Sequence, residues 1–220
     1  MLEALVGCTA IALFAWKAKI LSAKASFLAF VFGSTIWAMN GPAWIFILIT
    51  FLVSGYIGTK WRFEAKKKMG MEESSNGSRG TRNILGNGLA PVLFGLLGNP
   101  VAFVGSVSTA MADTLASEIG VFSERTRLIT TWKRVEPGTD GAVSPLGTLL
   151  SALGSAFISL LGYFFIGINP LYAFLGGFIG CQVDSVLGAT LERRGYLSKS
   201  GVNLIATLSG GLIAAAFLII

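Results

Sequence analysis

Apolar residues run along this chain in eight blocks, near residues 2–15, 22–39, 42–59, 84–98, 101–117, 147–167, 170–189 and 202–220, with polar stretches between them. Most blocks reach or approach the roughly 20 residues that a spanning helix needs. The pattern predicts an all-α fold, a polytopic transmembrane helical bundle of about eight membrane segments. Counts of six or seven stay open because the blocks at 2–15 and 84–98 are short. A short block is accommodated by tilt, by half-depth insertion or by local thinning of the bilayer.

Composition agrees with lipid as the outer solvent. Hydrophobic residues make up 53% of the 220 and charged residues only 13%, whereas a soluble domain spends about a quarter of its residues on charge. The formal charge of +6 raises the question of a nucleic-acid partner. Placement answers against it. All 17 Lys and Arg fall in four alternate loops, 16–21 (widened to Lys24), 60–83, 118–146 and 190–201. Basic loops between apolar spans mark the cytoplasmic side. The expectation is a protein of the cell membrane with these loops cytoplasmic, both termini outside and membrane lipids as its surroundings. The first block has no basic n-region or Ala-x-Ala site, so it reads as part of the mature chain. Cys8 and Cys181 lie in apolar blocks, and the absence of histidine removes the usual neutral-pH acid–base group.

The whole of 1–220 reads as one integral membrane domain. Within loop 60–83, "MEESSNGSRG" (Met71 to Gly80) has the composition of a linker or mobile lid. The run Lys66 to Lys68 reads as a headgroup-facing surface. Loop 118–146 mixes four basic residues with Glu118, Glu124, Glu136 and Asp140 around Pro137, Gly138 and Gly141. That mixture predicts an ordered polar layer. Small residues such as Gly154, Ser155, Gly176, Gly177 and Gly180 permit close helix packing.

Two segments resemble each other. "NPVAFVGSVSTAMADTLAS" from Asn99 and "NPLYAFLGGFIGCQVDSVLG" from Asn169 share Asn-Pro, Ala-Phe-x-Gly and a late Asp, with ten residues from Phe103 to Asp113 and again from Phe174 to Asp184. They read as a parallel repeat, 99–117 and 169–188, with both aspartates near the cytoplasmic end. An ionised carboxylate is tolerated there only beside a cation or a wet cavity. Two at one depth can hold Mg²⁺, which prefers hard oxygen ligands and leaves room for phosphate oxygens. Asp113, Asp184 and Glu118 are therefore the candidate metal ligands. Lys133 and Arg134 are the candidates to offset phosphate charge, and Gly138 and Gly141 let the backbone approach a phosphate. Asn83 and Asn87, one turn apart, line the same cavity or cap helices. The plainer alternatives are that the two acids pair with basic side chains to fix packing, and that Lys133 and Arg134 are a topology signal.

The runs "NILGNGLAPVLFGLLG", "ADTLASEIG", "TWKRVEPGTDGAVSPLGTLLSALG" and "VDSVLGATLERRG" resemble the DUF92, phytyl-phosphate kinase-like integral membrane family. That family is distantly similar to dolichol kinase and CDP-diacylglycerol synthase. The resemblance spans nearly the whole chain. It implies phosphoryl transfer from a nucleoside triphosphate, with CTP the expected donor, onto a prenyl monophosphate, with Mg²⁺. The elements that match those relatives are Asp113, Thr114, Ser117 and Gly120, then Lys133, Glu136 and Gly138. Joined with the reading of the residues above, Asp113, Lys133, Arg134 and Asp184 are the expected catalytic residues, and Asn83, Asn87, Ser117, Glu136, Gly138, Thr139 and Asp140 the expected nucleotide contacts. The loop "KRVEPGTDG" departs from the dolichol kinase pattern by an intervening proline. Cytidylyl transfer to a lipid phosphate, and transport driven through the buried acids, are the alternative readings.

Overall fold

The computed structural model describes residues 1–71 and 77–218. Each apolar block is a helix: α1 (Leu2–Lys17), α2 (Ala23–Asn40), α3 (Pro42–Lys60), α5 (Thr81–Leu96), α6 (Pro100–Gly120), α7 (Pro145–Ile166), α8 (Pro170–Leu187) and α9 (Lys199–Ala216). A short helix, α4 (Phe63–Lys68), lies inside the stretch expected to be loop. Among the described residues three helices are long and apolar enough to cross a membrane: Pro42–Lys60, Pro145–Ile166 and Pro170–Glu192. Half of the expected 71–80 linker, residues 72–76, lies outside the described residues.

Helix starts follow local chemistry. Pro42, Pro100, Pro145 and Pro170 each occupy the first turn of a helix, where a missing N–H costs nothing and φ is already set. Asn99 and Asn169 cap α6 and α8, accepting from the N–H groups of Ala102 (3.0 Å) and Leu171 (3.0 Å). Helix α7 ends in a left-handed Gly167 at φ 81°, whose N–H reaches back to Gly162 O and Tyr163 O.

Helix α7 shows how the bundle is turned inside out relative to a soluble one. Leu149, Leu153, Phe157, Leu160 and Phe164 form an exposed apolar stripe. The opposite face, Gly147, Ser151, Gly154, Ser155, Ser159 and Gly162, is buried. Small residues let backbones approach where lipid gives no hydrophobic drive for helix association. Ser155 Oγ donates to Phe174 O at 2.8 Å, and Ser108 and Ser159 hydroxyls meet at 3.2 Å. A Cβ on Gly154 would sit 3.1 Å from Met111 O.

Helix α6 is the axis of the bundle. Every residue from Val101 to Ala112 is buried, and it packs against α3, α5, α7, α8 and α9. Helices α5 and α9 lie side by side and parallel. Gly86 abuts Ser200 and Asn203, Thr207 Oγ1 donates to Gly86 O at 3.2 Å, and Phe94 lies against Gly211. The loop between α6 and α7 carries a small antiparallel pairing the sequence reading did not include, β1 (Arg127–Leu128) with β2 (Ala142–Val143).

Candidate functional site

The C-terminal halves of α6 and α8 and the N-terminal ends of α7 and α9 enclose a polar cavity of about 140 Å³. Asp113 projects into it from α6 and Asp184 from α8, so the two late acids of the similar segments line one site. Asp184 is 4% exposed. Its Oδ1 lies 3.8 Å from Lys199 Nζ, its Oδ2 is buried without a hydrogen-bond partner among the described residues, and the Asp113 carboxyl interacts with it. Opposite the acids, Ser144, Gly147 and Thr148 line the cavity at the start of α7, where Ser144 Oγ accepts from Gly147 N at 3.0 Å. The positive end of that helix therefore faces two carboxylates across an intervening space.

The roof is the loop 138–143. Gly138 (φ 82°) and Gly141 (φ 74°) both adopt left-handed conformations open mainly to glycine. A side chain on Gly141 would collide with Ala189 and with Ser185 O. The helix yields where this contact falls: α8 passes into a π turn, Gly188–Glu192, directly beneath Gly141. Such π segments recur at functional sites.

A second, larger cavity of about 970 Å³ adjoins the first, sharing Ser117, Gly138, Thr139, Asp140 and Lys199. Arg82 and Asn83 line it from the start of α5, Ser198 and Ser200 from the start of α9, and Glu136 and Glu192 from the facing side.

Several expected site residues stand elsewhere. Lys133 and Arg134 line neither cavity. They are exposed beside a tight turn in which Leu128 N donates to Lys133 O (3.0 Å), Trp132 N to Leu128 O (2.8 Å) and Arg127 Nη1 to Trp132 O (2.7 Å). That local bonding carries both side chains outward. Glu118 borders the second cavity, but both its oxygens are engaged, one by Thr59 Oγ1 and the other by Lys66 Nζ. In this structure it ties α6 to Thr59 of α3 and Lys66 of α4. Lys66 is 1% exposed, so it is not the headgroup-facing residue the charge run suggested. Lys67 and Lys68 are exposed, in keeping with that reading. Asn87 is buried between α5 and α9, accepting from Asn203 Nδ2 at 3.5 Å, and lines neither cavity.

The sequence reading did not single out Lys199, Arg82 or Glu192. Lys199 follows the N-cap Ser198 of α9, and a Ser immediately before an apolar run was the one signal that could have put it at a helix start.

Comparisons with known proteins agree with this architecture. The family described as integral membrane protein DUF92 matches residues 6–211. The chain is 36% identical over 212 residues to the uncharacterized membrane protein MJ0933 of Methanocaldococcus jannaschii, covering 92% of this chain and 88% of that one. It is 34% identical over 203 residues to the uncharacterized membrane protein sll0875 of Synechocystis, covering 84% and 78%. Protein VTE6, chloroplastic, of Arabidopsis thaliana is 32% identical over 213 residues, covering 88% of this chain and 64% of that protein. No solved structure matches. With helices able to span a bilayer and a match across almost its whole length, the chain belongs to the DUF92 family of integral membrane proteins.

Proposed function

We propose that this chain is a lipid-phosphate kinase that transfers the γ-phosphoryl group of a nucleoside triphosphate, CTP by preference, onto a prenyl (phytyl-like) monophosphate. The observation that carries the reading is the convergence of Asp113 and Asp184, from two helices, on one cavity faced by the N-terminus of α7. The likeness of the motif runs to phytyl-phosphate kinase-like proteins supports it, and so does the helix-rich membrane setting. In this reading the basic loops lie on the cytoplasmic side of the cell membrane, where the nucleotide is available, and the prenyl chain stays in lipid.

Mg²⁺ fits the donors. Asp113 and Asp184 offer hard oxygens, and Asp184 Oδ2 is buried and unsatisfied. Among the described residues no group of three acids or cysteines forms a protein cage. One or two carboxylates plus water and substrate phosphates is the ordinary Mg²⁺ environment. When bound by Asp113 and Asp184, Mg²⁺ would neutralise charge on the donor phosphates.

The chain's own groups do the rest. Lys199, in place of Lys133 and Arg134, would offset charge developing on the transferred group. The hydroxyls of Ser144 and Thr148, which line the cavity at the start of α7, would donate to phosphate oxygens. An oxygen of the acceptor monophosphate attacks the γ-phosphorus, the β–γ bridging P–O bond breaks, and the nucleoside diphosphate leaves with that electron pair. The attacking oxygen is already ionised, so no general base is needed, and a chain without histidine can run the step.

The test follows labelled γ-phosphate from CTP and ATP into a panel of prenyl monophosphates with purified wild type and Asp113→Asn. Labelled prenyl diphosphate formed by wild type and lost in the variant is expected. Release of pyrophosphate with label from the α-position retained in lipid would overturn kinase activity in favour of cytidylyl transfer. No transfer by a well-folded preparation would overturn both.

A further inference from the structure

We infer that the larger cavity, between the starts of α5 and α9, is a nucleoside-triphosphate subsite, with Arg82 and Lys199 on the phosphates and Asn203 on the nucleoside. This rests on the kinase reading and locates its donor.

Two parallel helices begin side by side here, held close by Gly86 against Ser200 and Asn203. Adjacent parallel helices place two positive dipole ends together, which is unfavourable unless an anion lies between them. Side-chain charge at these ends worsens the conflict. Neither α5 nor α9 carries an acid in its first turn. Each carries a cation instead, Arg82 in α5 and Lys199 in α9, and both line the cavity. Helix α5 also starts without a side-chain cap, and open space lies beside its N-cap Gly80. On this side of the cavity of about 970 Å³ the two helix starts, Arg82 and Lys199, the last 3.8 Å from Asp184, form a positive wall that suits a phosphate chain, while Glu118, Glu136, Asp140 and Glu192 line the rest.

A buried side chain narrows the ligand further. Asn203 is 7% exposed and lines this cavity. Its Nδ2 donates to Asn87, while its Oδ1 is buried with no partner among the described residues. An orphan acceptor calls for a ligand N–H or O–H. Ionised phosphate has none to give, whereas a ribose hydroxyl or a base amine does. The facing acids Glu136, Asp140 and Glu192 leave room for the cations that accompany a triphosphate. Sharing of Lys199 and Asp140 with the smaller cavity puts the terminal phosphate beside Asp113 and Asp184.

The test measures binding of inorganic tripolyphosphate and of CTP, without acceptor, by calorimetry on the purified protein in detergent. Wild type, Arg82→Gln, Lys199→Gln and Asn203→Leu are compared, with the thermal midpoint of each as a check of folding. Arg82→Gln and Lys199→Gln should each weaken both ligands about tenfold, since a charge-assisted contact is worth on the order of 1.5 kcal/mol or more. Asn203→Leu should weaken CTP several-fold and leave tripolyphosphate unchanged. Unaltered affinity in folded Arg82→Gln and Lys199→Gln, while wild type still transfers phosphate, would overturn the subsite and leave the kinase reading standing. Arg82-dependent CTP binding without transfer to any acceptor would sustain the subsite and sink the kinase reading. Equal loss of CTP and tripolyphosphate in folded Asn203→Leu would overturn the role of Asn203.

Discussion

Lys66 and Glu118, 52 residues apart, form a buried ion pair that fastens α4 to α6. The ammonium also donates to Gly58 O (3.1 Å) and Thr59 O (2.8 Å), two of the carbonyls in the last turn of α3, so its three protons are all used. Thr59 Oγ1 completes the carboxylate. One lysine thus caps α3, neutralises Glu118 and ties down the segment whose Met71 lies against Gly138.

Removing one partner strands the other charge. Lys66→Met should therefore cost about 3–5 kcal/mol, and Lys66→Met with Glu118→Leu should recover most of that loss. Thermal unfolding in detergent reads both. A single variant as stable as wild type would show that the pair is not buried as described.

Asp184 predicts the opposite balance of stability and activity. Its Oδ2 has no donor and a second carboxyl lies beside it. Asp184→Asn keeps the shape and relieves a carboxylate held beside Asp113. The 3.8 Å pair it gives up is with the exposed Lys199, of the kind worth about 0–1 kcal/mol, so stability should rise by about 0.5–2 kcal/mol. Phosphoryl transfer should fall by about 10²–10³-fold, the scale for losing one charge-stabilising group in a site. A variant both stabilised and active would remove Asp184 from the chemistry.

The helices were legible because apolar blocks of near-spanning length leave little alternative, and Pro after Asn or Ser marks their starts. Asp113 and Asp184 were legible because a charge in such a block demands a reason. What stayed hidden depends on tertiary contact. Four of the six residues of α4 are charged and the segment reads as loop, yet Glu64 near its start and Lys66–Lys68 at its end match the helix dipole, and Lys66 finds its acceptors only after α3 and α6 have assembled. Lys199 and Arg82 looked like topology markers because sequence counts a cation without saying which cavity it borders. The turn at Lys133 and Arg134 is closed by hydrogen bonds spanning four to nine residues, which hydropathy does not register.

That turn supplies a direct contrast. Lys133→Ala combined with Arg134→Ala removes two exposed charges outside both cavities. Surface changes of this kind stay within about 0.5 kcal/mol, so transfer should change by no more than about twofold. Lys199→Gln should lower it about tenfold or more, as expected for a lost charge-assisted contact of on the order of 1.5 kcal/mol. Assay of the three proteins with one acceptor decides which cations serve the phosphates, and the reverse ranking would restore the hairpin pair to the site.

Close packing around α6 gives the last prediction. A Cβ on Gly177 would collide with Ser155 Oγ and Ser108 Cβ and come within 2.9 Å of the Ser108 carbonyl carbon. Backbone cannot yield as a side-chain tip can, so Gly177→Ala should destabilise by about 1–3 kcal/mol. Because Ser108 lies five residues before Asp113 on the same helix, the displacement should also lower transfer. Gly201 is the control: it is helical, and its nearest contacts for a new Cβ are ordinary, 3.5 Å to Ser198 Oγ and 3.7 Å to Leu197. Gly201→Ala should gain about 0.5–1 kcal/mol from helix propensity. Paired melting curves of the two variants separate tight α6–α8 packing from a general intolerance of alanine. If Gly177→Ala melts with wild type, the close approach of α8 to α6 is wrong, and with it the shared depth of Asp113 and Asp184.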